Sequence, residues 1–454
     1  MTTLAAEPAA DTGTDLESGP GAWQAIHIFY GAVRLSLLTE SIRPLIAGLR
    51  QDGLLDGWFF INYWVEGTHL RLRLRPSSAA ATDVVLSRAE AAIDEYLRRR
   101  PALYSADPDF LSDVYTKMFD FEFTDEQRAR FLDENGRMRL RENNSHSREP
   151  YEPEYGKYGG PAGVAVAEWH FEQSSDLVVE LLRTMNTHLR SIRLGIAAQL
   201  MMVTAAAFEP DAQACADFFE GYHAFWRRAF DTDGDVTDED YDSAYAKTGP
   251  GISRRFAAIR DAFAQGTAPS LPGVLGPWAT HCIELRSRIG TLADRGDLAF
   301  ESWDDTADLV LTDGAAAARR LLLPYLHMTN NRLGMTLTDE AFLGRILARA
   351  LRETEEETEP ETAAGPESAT TARPASETEQ ETAAGPASAA GPETTAGLVS
   401  ATEPEAGTES KQKTATGPES ATMARPASVA GRMTATELAG AIEAAAEPKA
   451  EAAP

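Results

Sequence analysis

The sequence predicts an α+β fold: helices cover one face of an antiparallel sheet, a mostly helical half follows, and a long disordered C-terminal tail ends the chain. Three observations carry this prediction. Residues 58–76 (WFFINYWVEGTHLRLRLRP) hold two strand-like runs around a turn at Glu66 and Gly67, as in a β-hairpin. Residues 168–352 show helical spacing almost throughout, whereas residues 353–454 contain no aromatic side chain.

The composition argues against several classes of function. A formal net charge of -28 is unfavourable for binding a nucleic-acid backbone. The two cysteines, Cys215 and Cys282, lack the Cys/His spacing of a zinc site, so neither a structural metal nor a disulfide framework is expected. Since no run of eighteen apolar residues and no signal-peptide pattern occurs, we expect a cytoplasmic protein that does not contact a membrane.

The N-terminal part has the element order of an α+β layer. Residues 1–21 are small, acidic and turn-rich, which is typical of a disordered leader. Residues 23–30 alternate like a strand, and residues 39–49 have helical spacing with Pro44 in the first turn. The hairpin comes next, followed by an amphipathic helix over residues 81–99. Residues 102–148 are polar, and we expect an inserted mobile segment, with an ordinary surface loop as the alternative.

The C-terminal half of the folded part is predicted to be helical. The candidate helices cover residues 174–204, 212–230, 252–264, 278–292, 302–325 and 338–352. Ser174 and Thr338 are suitable N-caps, and the acidic residues that follow each cap match the helix dipole. The preceding residues 151–163 (YEPEYGKYGGPAG) are predicted to form a loop, because four glycines and two prolines disfavour a helix. No role is assigned to four histidines in this half: His170, His188, His223 and His281.

The tail differs in composition from the rest of the chain. Residues 353–454 contain nineteen Glu, no Asp and six Lys plus Arg, and residues 365–376 (GPESATTARPAS) recur almost unchanged at 417–428. Such a segment buries too little apolar area to offset its conformational entropy. We therefore predict three parts: a disordered leader (1–21), a folded domain (22–352) and a disordered acidic tail (353–454).

The second strand of the hairpin separates polar from apolar side chains. Leu70, Leu72 and Leu74 fall on one face, while the other face carries His69, Arg71, Arg73 and Arg75. Like charges on one strand face repel each other, so the pattern suggests an anionic group opposite them. The alternative is a solvated face paired with Asp and Glu from elsewhere in the chain.

A second polar cluster lies at the predicted end of a helix. Residues 324–334 read PYLHMTNNRLG and bring together His327, Asn330, Asn331 and Arg332 before Gly334. Gly334 with the two asparagines indicates a helix stop. A capping and turn cluster is the alternative to a functional site.

Three motifs together resemble a known family. The pattern FFxxYWxxGxHLRLRL is similar to the signature of the thiopeptide-type bacteriocin biosynthesis domain. This domain is the stand-alone relative of the C-terminal, glutamate-eliminating domain of nisin-type lanthipeptide dehydratases. Tyr151, Glu154 and the Tyr158-Gly159-Gly160 run match a second motif of the family, and LHMxxNRLG matches its closing motif. The resemblance covers residues 23–352.

The resemblance implies a reaction on a ribosomal precursor peptide. A separate glutamylation protein, which uses glutamyl-tRNA, would esterify Ser or Thr, and this chain would then eliminate glutamate to leave dehydroalanine or dehydrobutyrine. It implies His327, Arg71 and Arg73 as catalytic residues and needs no cofactor. The implied substrate-binding residues are His69, Tyr151, Glu154, Lys157, Tyr158, Asn331 and Arg332. The expected partners are the precursor peptide and the glutamylation protein, without direct contact to nucleic acid. A homodimer is left open.

Two alternatives remain at this stage. A related stand-alone protein in thiopeptide pathways joins two dehydroalanines in a formal aza-[4+2] cycloaddition, which makes a pyridine and releases the leader peptide. Asn62, Pro153 and Lys157 stand where the eliminating enzymes have Arg, and these departures favour cycloaddition, whereas Arg71, Arg73 and His327 favour elimination. The third hypothesis is a non-catalytic module that presents the precursor. The three polar motifs argue against it.

Overall fold

The computed structural model describes residues 21–103, 123, 128–230, 238–301 and 308–358. Almost all of the predicted leader, half of the predicted insertion and nearly the whole predicted tail lie outside these residues. The predicted fold class is confirmed: a four-stranded antiparallel sheet near the N-terminus is followed by a mostly helical half.

The described ranges contain the following strands and helices. The strands are β1 (Gln24–Phe29), β2 (Leu55–Tyr63), β3 (His69–Pro76), β4 (Ser145–Glu149), β5 (Ala299–Phe300) and β6 (Leu309–Val310). The helices are α1 (Leu35–Leu37), α2 (Arg43–Gln51), α3 (Thr82–Arg99), α4 (Tyr155–Tyr158), α5 (Gly160–Thr184), α6 (Arg190–Phe208), α7 (Ala212–Phe230), α8 (Asp238–Ala264), α9 (Leu275–Arg295), α10 (Gly314–Leu333) and α11 (Leu337–Thr358). A π-helical turn, Leu38–Ile42, joins α1 to α2.

The main sheet has the strand order β2-β3-β1-β4. Its hairpin turns where predicted, with positive φ angles at Glu66 (61°) and Gly67 (109°). Leu70, Leu72 and Leu74 are fully buried, because α2 and α3 pack against the apolar side of the sheet. The alternation of β3 is therefore a separation of two environments, one apolar and one polar.

The fourth strand was not predicted. β4 pairs with β1, so that Ser147 lies opposite His27, although its sequence SHSRE carries no apolar alternation. An ion pair and a hydrogen bond connect it to α3: Arg148 Nε lies 2.6 Å from Glu90, and His146 Nε2 lies 2.9 Å from Asp94 Oδ1. Backbone pairing and these surface charges hold the strand, and neither leaves a periodic hydrophobic signal.

The prediction of a loop over residues 151–163 is wrong for most of that segment. A short helix, α4, occupies its centre, and α5 begins at Gly160 with Pro161 in the first turn, where the missing N–H costs nothing. Gly159 separates the two helices with φ 87°, a conformation that glycine adopts without strain. Ser174 is consequently not an N-cap: it lies inside α5, and its hydroxyl donates to the carbonyl of His170.

The other helix boundaries also moved. The predicted helix 174–204 is divided into α5 and α6, because the chain is extended at Met185. α10 begins at Gly314 rather than near residue 302, with Asp313 as its N-cap, and it ends as predicted at Gly334 (φ 75°). Thr336, not Thr338, caps α11 by accepting from the Asp339 N–H. α8 begins before the predicted residue 252 and runs through Pro250.

The helical half attaches to the edge of the sheet at β2. The side-chain amide of Asn331 accepts from the Asn62 N–H (2.9 Å) and donates to the Asn62 carbonyl (2.8 Å), as a neighbouring strand would. Ser175 accepts from the Phe60 N–H at 3.3 Å. Side chains of α5 and α10 therefore replace the missing strand partner, which fixes both helices relative to the hairpin.

One described helix, α6, is long and apolar enough to cross a membrane by length and composition alone. However, 78% of its most apolar window is buried inside the protein. Four of its apolar side chains are at most 1% exposed: Leu194, Leu200, Met201 and Met202. This pattern is that of a core helix.

Candidate functional site

The polar side of the sheet carries a cationic surface, here called the arginine face: His27, His69, Arg71, Arg73 and Arg75. Antiparallel pairing sets His27 opposite Arg71 and Phe59 opposite Arg73. Arg73 is only 5% exposed and His69 only 1%. The alternative of a fully solvated sheet face does not describe these two residues.

Aromatic rings, rather than carboxylates alone, surround the guanidinium groups. The Arg71 Cζ lies 3.4 Å from the ring centroid of Tyr63, and the Arg73 Cζ lies 5.6 Å from that of Tyr151. Arg71 also donates through Nε to the Nε2 of His69 at 3.3 Å. The Nε and Nη1 atoms of Arg73 are buried without a hydrogen-bond partner in the described part of the chain. Buried donors without an acceptor are costly, so this group is suited to receive an anion.

The imidazoles of the arginine face are held neutral. Burial, followed by the charges of Arg73 and Arg71, lowers the pKa of His27 to about 2. Burial is also the main cause that lowers the pKa of His69 to about 3. Arg73 itself has its pKa lowered to about 10, first by burial and then by Arg71, so it still carries its charge at neutral pH. The positive charge therefore belongs to the arginines.

Tyr151 borders the arginine face as a neutral side chain. Its hydroxyl donates to Glu168 Oε1 at 2.6 Å, and burial together with this carboxylate raises the Tyr151 pKa well above its usual range. The ring also packs against Trp23 and Phe59, with centroids 6.0 and 6.3 Å away. The surroundings of Arg73 are thus aromatic and poor in water, which strengthens any electrostatic contact made there.

His327 lies in a separate, well-ordered arrangement on α10. Its Nδ1 is 2.9 Å from Glu340 Oε1, and its ring lies 4.7 Å from the ring of Trp226. The fully buried Glu340 also accepts from the hydroxyl of Tyr222 and from Asn330 Nδ2. A carboxylate held in this way fixes the imidazole with hydrogen on Nδ1 and leaves Nε2 able to accept a proton. The side chain of His327 remains 22% exposed.

The two groups are linked through the hairpin. Asn331 follows His327 by one helical turn and is bonded to Asn62, whose neighbour Tyr63 stacks on Arg71. No contact among the described residues joins His327 directly to Arg71 or Arg73. Their meeting in one cleft stays a prediction.

The remaining predicted site residues lie in different surroundings. Lys157 and Glu154 are exposed and pair with each other at 3.3 Å. Tyr158 is 2% exposed and stacks on Tyr325 at 6.0 Å. Arg332 is 1% exposed, and it donates to the Ser175 hydroxyl (3.1 Å) and to the Met328 carbonyl (2.8 Å). Asn331 holds the backbone of β2.

Sequence reasoning missed three residues of this arrangement: His27, Tyr222 and Glu340. His27 could have been found, because strand alternation in β1 sets it on one face with Ala25 and Phe29. Glu340 gave no signal beyond its place in the first turn of a helix, and Tyr222 lies more than a hundred positions from its partner. Within the described ranges, no group of three or more His, Cys, Asp or Glu side chains could hold a metal ion.

A family model matches most of the chain. A family model described as "Lantibiotic biosynthesis dehydratase C-term" matches residues 23–351. A search of curated proteins finds no match to this chain.

Two solved structures, with TM-scores above 0.5, show the same fold. The chain is similar to "Pyridine synthase, TbtD, from thiomuracin biosynthesis", with a TM-score of 0.57 at 19% identity over 74% of this chain and 99% of that chain. The structure of TsrL has a TM-score of 0.51 to this chain at 18% identity, over 74% of this chain and 95% of that chain. The tRNA-dependent lantibiotic dehydratase MibB from Microbispora sp. 107891 gives 0.43 at 17% identity, over 78% of this chain and only 29% of that chain.

Proposed function

Because the chain belongs to the lantibiotic biosynthesis dehydratase C-terminal family, we propose that it is an enzyme of ribosomal-peptide maturation that eliminates glutamate from glutamylated Ser or Thr. The substrate is a precursor peptide that a separate glutamylation protein has esterified using glutamyl-tRNA. The products are free glutamate and a peptide with dehydroalanine or dehydrobutyrine.

The observation that carries this proposal is the arginine face. Arg73 presents two buried donors without an acceptor, beside Arg71 and two neutral imidazoles. In the elimination, a base removes the Cα proton, the Cα=Cβ bond forms, and the Cβ–O bond breaks to release glutamate as a carboxylate. Arg71 and Arg73 would stabilise the negative charge that develops on the departing oxygen.

His327 is the proposed proton acceptor. Its Nδ1 is held by Glu340, so Nε2 is the nitrogen that would take the Cα proton. We propose that closure of the site on the peptide brings this nitrogen to the substrate carbon. Glu340 acts as a positioning residue, because it touches the imidazole and not the reacting atoms.

The other residues implied by the family resemblance are assigned to binding. Tyr151 and His69 border Arg73 and Arg71, and we propose that they contact the glutamyl group. The exposed Lys157 and Glu154 are proposed contacts for the flanking peptide. Tyr158, Asn331 and Arg332 would support the site from behind, through the packing described above. The cytoplasm is the proposed location, since glutamyl-tRNA and ribosomal precursors are found there.

The test is a pair of reactions run side by side. In the first reaction, a precursor with preformed glutamyl esters should release free glutamate and lose the mass of the whole glutamyl ester. Mass spectrometry of the peptide measures this loss. His327→Ala should slow this reaction about 10²–10⁴-fold. Glu340→Gln should lower kcat with little change in KM and should alter the pH profile, while Arg98→Gln, at an exposed position of α3, serves as the control. An untouched ester in the wild-type reaction would contradict the proposal.

Pyridine formation is the second candidate. It is supported by the similarity to a pyridine synthase along nearly the full length of that protein. It is also supported by Lys157, which is paired with Glu154 on the surface instead of adding an arginine to the site. A peptide carrying two preformed dehydroalanines should then be cyclised and release its leader. If that reaction proceeds while glutamylated peptide is unchanged, cycloaddition replaces elimination as the proposed function.

A further inference from the structure

A second group of buried polar atoms lies between α4, α5 and α10, and none of its residues belongs to the arginine face. It consists of Tyr158, Tyr325 and Arg332, each of which is at most 2% exposed. The rings of Tyr158 and Tyr325 stack at 6.0 Å, and the Arg332 Cζ lies 4.6 Å from the ring centroid of Phe171. Phe171 in turn packs against Tyr158 at 5.4 Å. These contacts, together with the electrostatic interaction between Arg332 and Tyr158, make the three polar side chains neighbours in the interior. The group of three is here called the Arg332 chamber.

The Arg332 chamber holds donors without an acceptor. Arg332 uses Nε and Nη1 for Ser175 and the Met328 carbonyl, but its buried Nη2 has no hydrogen-bond partner. The buried hydroxyls of Tyr158 and Tyr325 have none either. Three such atoms in one place exceed what isolated packing defects produce, since buried polar groups are nearly always satisfied.

The charge of the Arg332 chamber is also uncompensated. No carboxylate in the described part of the chain forms an ion pair with Arg332, and the two acceptors that it contacts, the Ser175 hydroxyl and the Met328 carbonyl, are uncharged. Burial lowers the Arg332 pKa to about 9, which still leaves the guanidinium charged at neutral pH. Burial holds His170, beside Tyr325, in its neutral form, so it neither adds charge nor supplies a counter-charge. A water molecule would satisfy the hydroxyls, but only an anion would also balance the guanidinium.

We propose that the Arg332 chamber is a closed binding site for a small inorganic monovalent anion of the chloride type. Arg332 Nη2 and the two tyrosine hydroxyls donate to the ion. The bound ion joins α4 and α10, and through Ser175 it also joins α5. It is a permanent part of the folded protein and not a substrate contact, because Tyr158, Tyr325 and Arg332 are each at most 2% exposed.

The Arg332 chamber is distinct from the arginine face. Arg73 is bordered by Tyr151 and Phe59, whereas Arg332 contacts Phe171 and Ser175. The rings of Phe59 and Phe171 pack against each other at 5.5 Å, but the buried donors of the two groups belong to different residues. The proposal therefore does not depend on which reaction the protein catalyses. It would stand if elimination were wrong.

The test uses the full-length protein without peptide, dialysed into sodium gluconate. Chloride or bromide then replaces gluconate at constant ionic strength while Tm is recorded. A saturable rise of about 5 °C is expected when the halide exceeds its Kd about 100-fold. Crystals grown in bromide should show an anomalous peak within hydrogen-bond distance of Arg332 Nη2.

Variants separate the site from general salt effects. Arg332→Met should abolish the halide response. The double variant Tyr158→Phe with Tyr325→Phe keeps both rings and should weaken halide binding at least tenfold, which covers the case in which Arg332→Met does not fold. Arg88→Met, at a partly exposed arginine paired with Asp52, should keep the full response.

Three outcomes would overturn the proposal. One is a halide response that is equal in wild type and in the double tyrosine variant. Another is a crystal grown in bromide that shows no anomalous peak near Arg332 Nη2, which would mean that only water binds there. The third is a peptide carboxylate found at Arg332 Nη2 while halide has no effect, which would assign the site to the substrate.

Discussion

At the residue scale, the main feature is buried positive charge without a bound counter-charge. Arg73 and Arg332 are both at least 95% buried, and both keep donors without acceptors in the described structure. Leaving a guanidinium in this state costs several kcal/mol. Such residues lower the stability of the unliganded protein and raise its affinity for an anion, which is the balance expected of a functional site.

Arg73→Met should separate stability from activity. Removing an uncompensated buried charge while keeping most of the side-chain volume should raise Tm, measured by calorimetry without substrate. The same change should reduce kcat/KM for glutamylated peptide by about 10²–10³, since a donor to a developing oxyanion contributes on that scale. A fall in Tm would mean that Arg73 has a structural anion or partner, and its proposed role would then fail.

At the scale of elements, sequence patterns predicted those strands and helices whose buried side chains recur at a regular spacing. The alternation in β3 predicted which face holds the arginines, because one face is apolar. β4 and the start of α5 were missed, since surface polar contacts hold the first and Pro161 with Gly159 opens the second. The pairing of His327 with Glu340 could not be predicted from a pattern. It depends on the turn at Gly334, which sets Glu340 in the first turns of α11 beside His327.

Asn331→Leu should destabilise the junction between the two halves. The substitution leaves the N–H and the carbonyl of Asn62 without their present partners. A fully buried unsatisfied group costs about 1–3 kcal/mol. Because Asn62 is only partly buried, we expect a loss of about 1–2 kcal/mol in urea unfolding. Hydrogen exchange at the Asn62 amide should become faster.

Gln173→Leu, at an exposed position of α5, is the matched control and should change stability by less than about 0.5 kcal/mol. Unchanged protection of the Asn62 amide in Asn331→Leu would show that the interaction with Asn331 is dispensable.

At the scale of the whole molecule, buried neutral histidines make stability depend on pH. His170 and His281 share a 2.9 Å hydrogen bond in the core. Burial, then Arg288, lowers the pKa of His281 to about 4. Below pH 6.5 this histidine binds a proton in the unfolded chain but stays neutral in the folded protein. Its contribution to the free energy of unfolding is therefore fully present above pH 6.5 and is lost as the pH falls towards 4.

His281→Gln should therefore flatten the acid side of the stability profile. For a single group with these two pKa values, wild type should lose about 2 kcal/mol more than the variant between pH 7 and pH 5. Urea unfolding at both pH values measures the difference. His188→Gln, at an exposed position, should follow wild type. An unchanged slope in His281→Gln would rule out this titration as the cause.

The effect of removing the C-terminal tail on stability depends on the residue at which the shortened chain ends. α11 continues to Thr358, six residues beyond the predicted domain end, and Glu353 accepts from the Tyr245 hydroxyl at 2.7 Å. A chain ending at residue 358 should keep the Tm and activity of the full chain. A chain ending at residue 352 should lose about 1 kcal/mol with this hydrogen bond. A large loss in the longer chain would give the tail a structural role.

The Asn62–Asn331 contact also has a consequence for synthesis on the ribosome. Its two residues are 269 positions apart. At about 5–20 residues per second, the ribosome needs roughly 15–50 s to make the second partner after the first. During that time the outer edge of β2 has emerged with its N–H and carbonyl groups unpaired, and such an edge can pair with another nascent chain. Expression at lower temperature or with more chaperone should therefore increase the soluble yield of wild type, and Asn331→Leu should aggregate under both conditions.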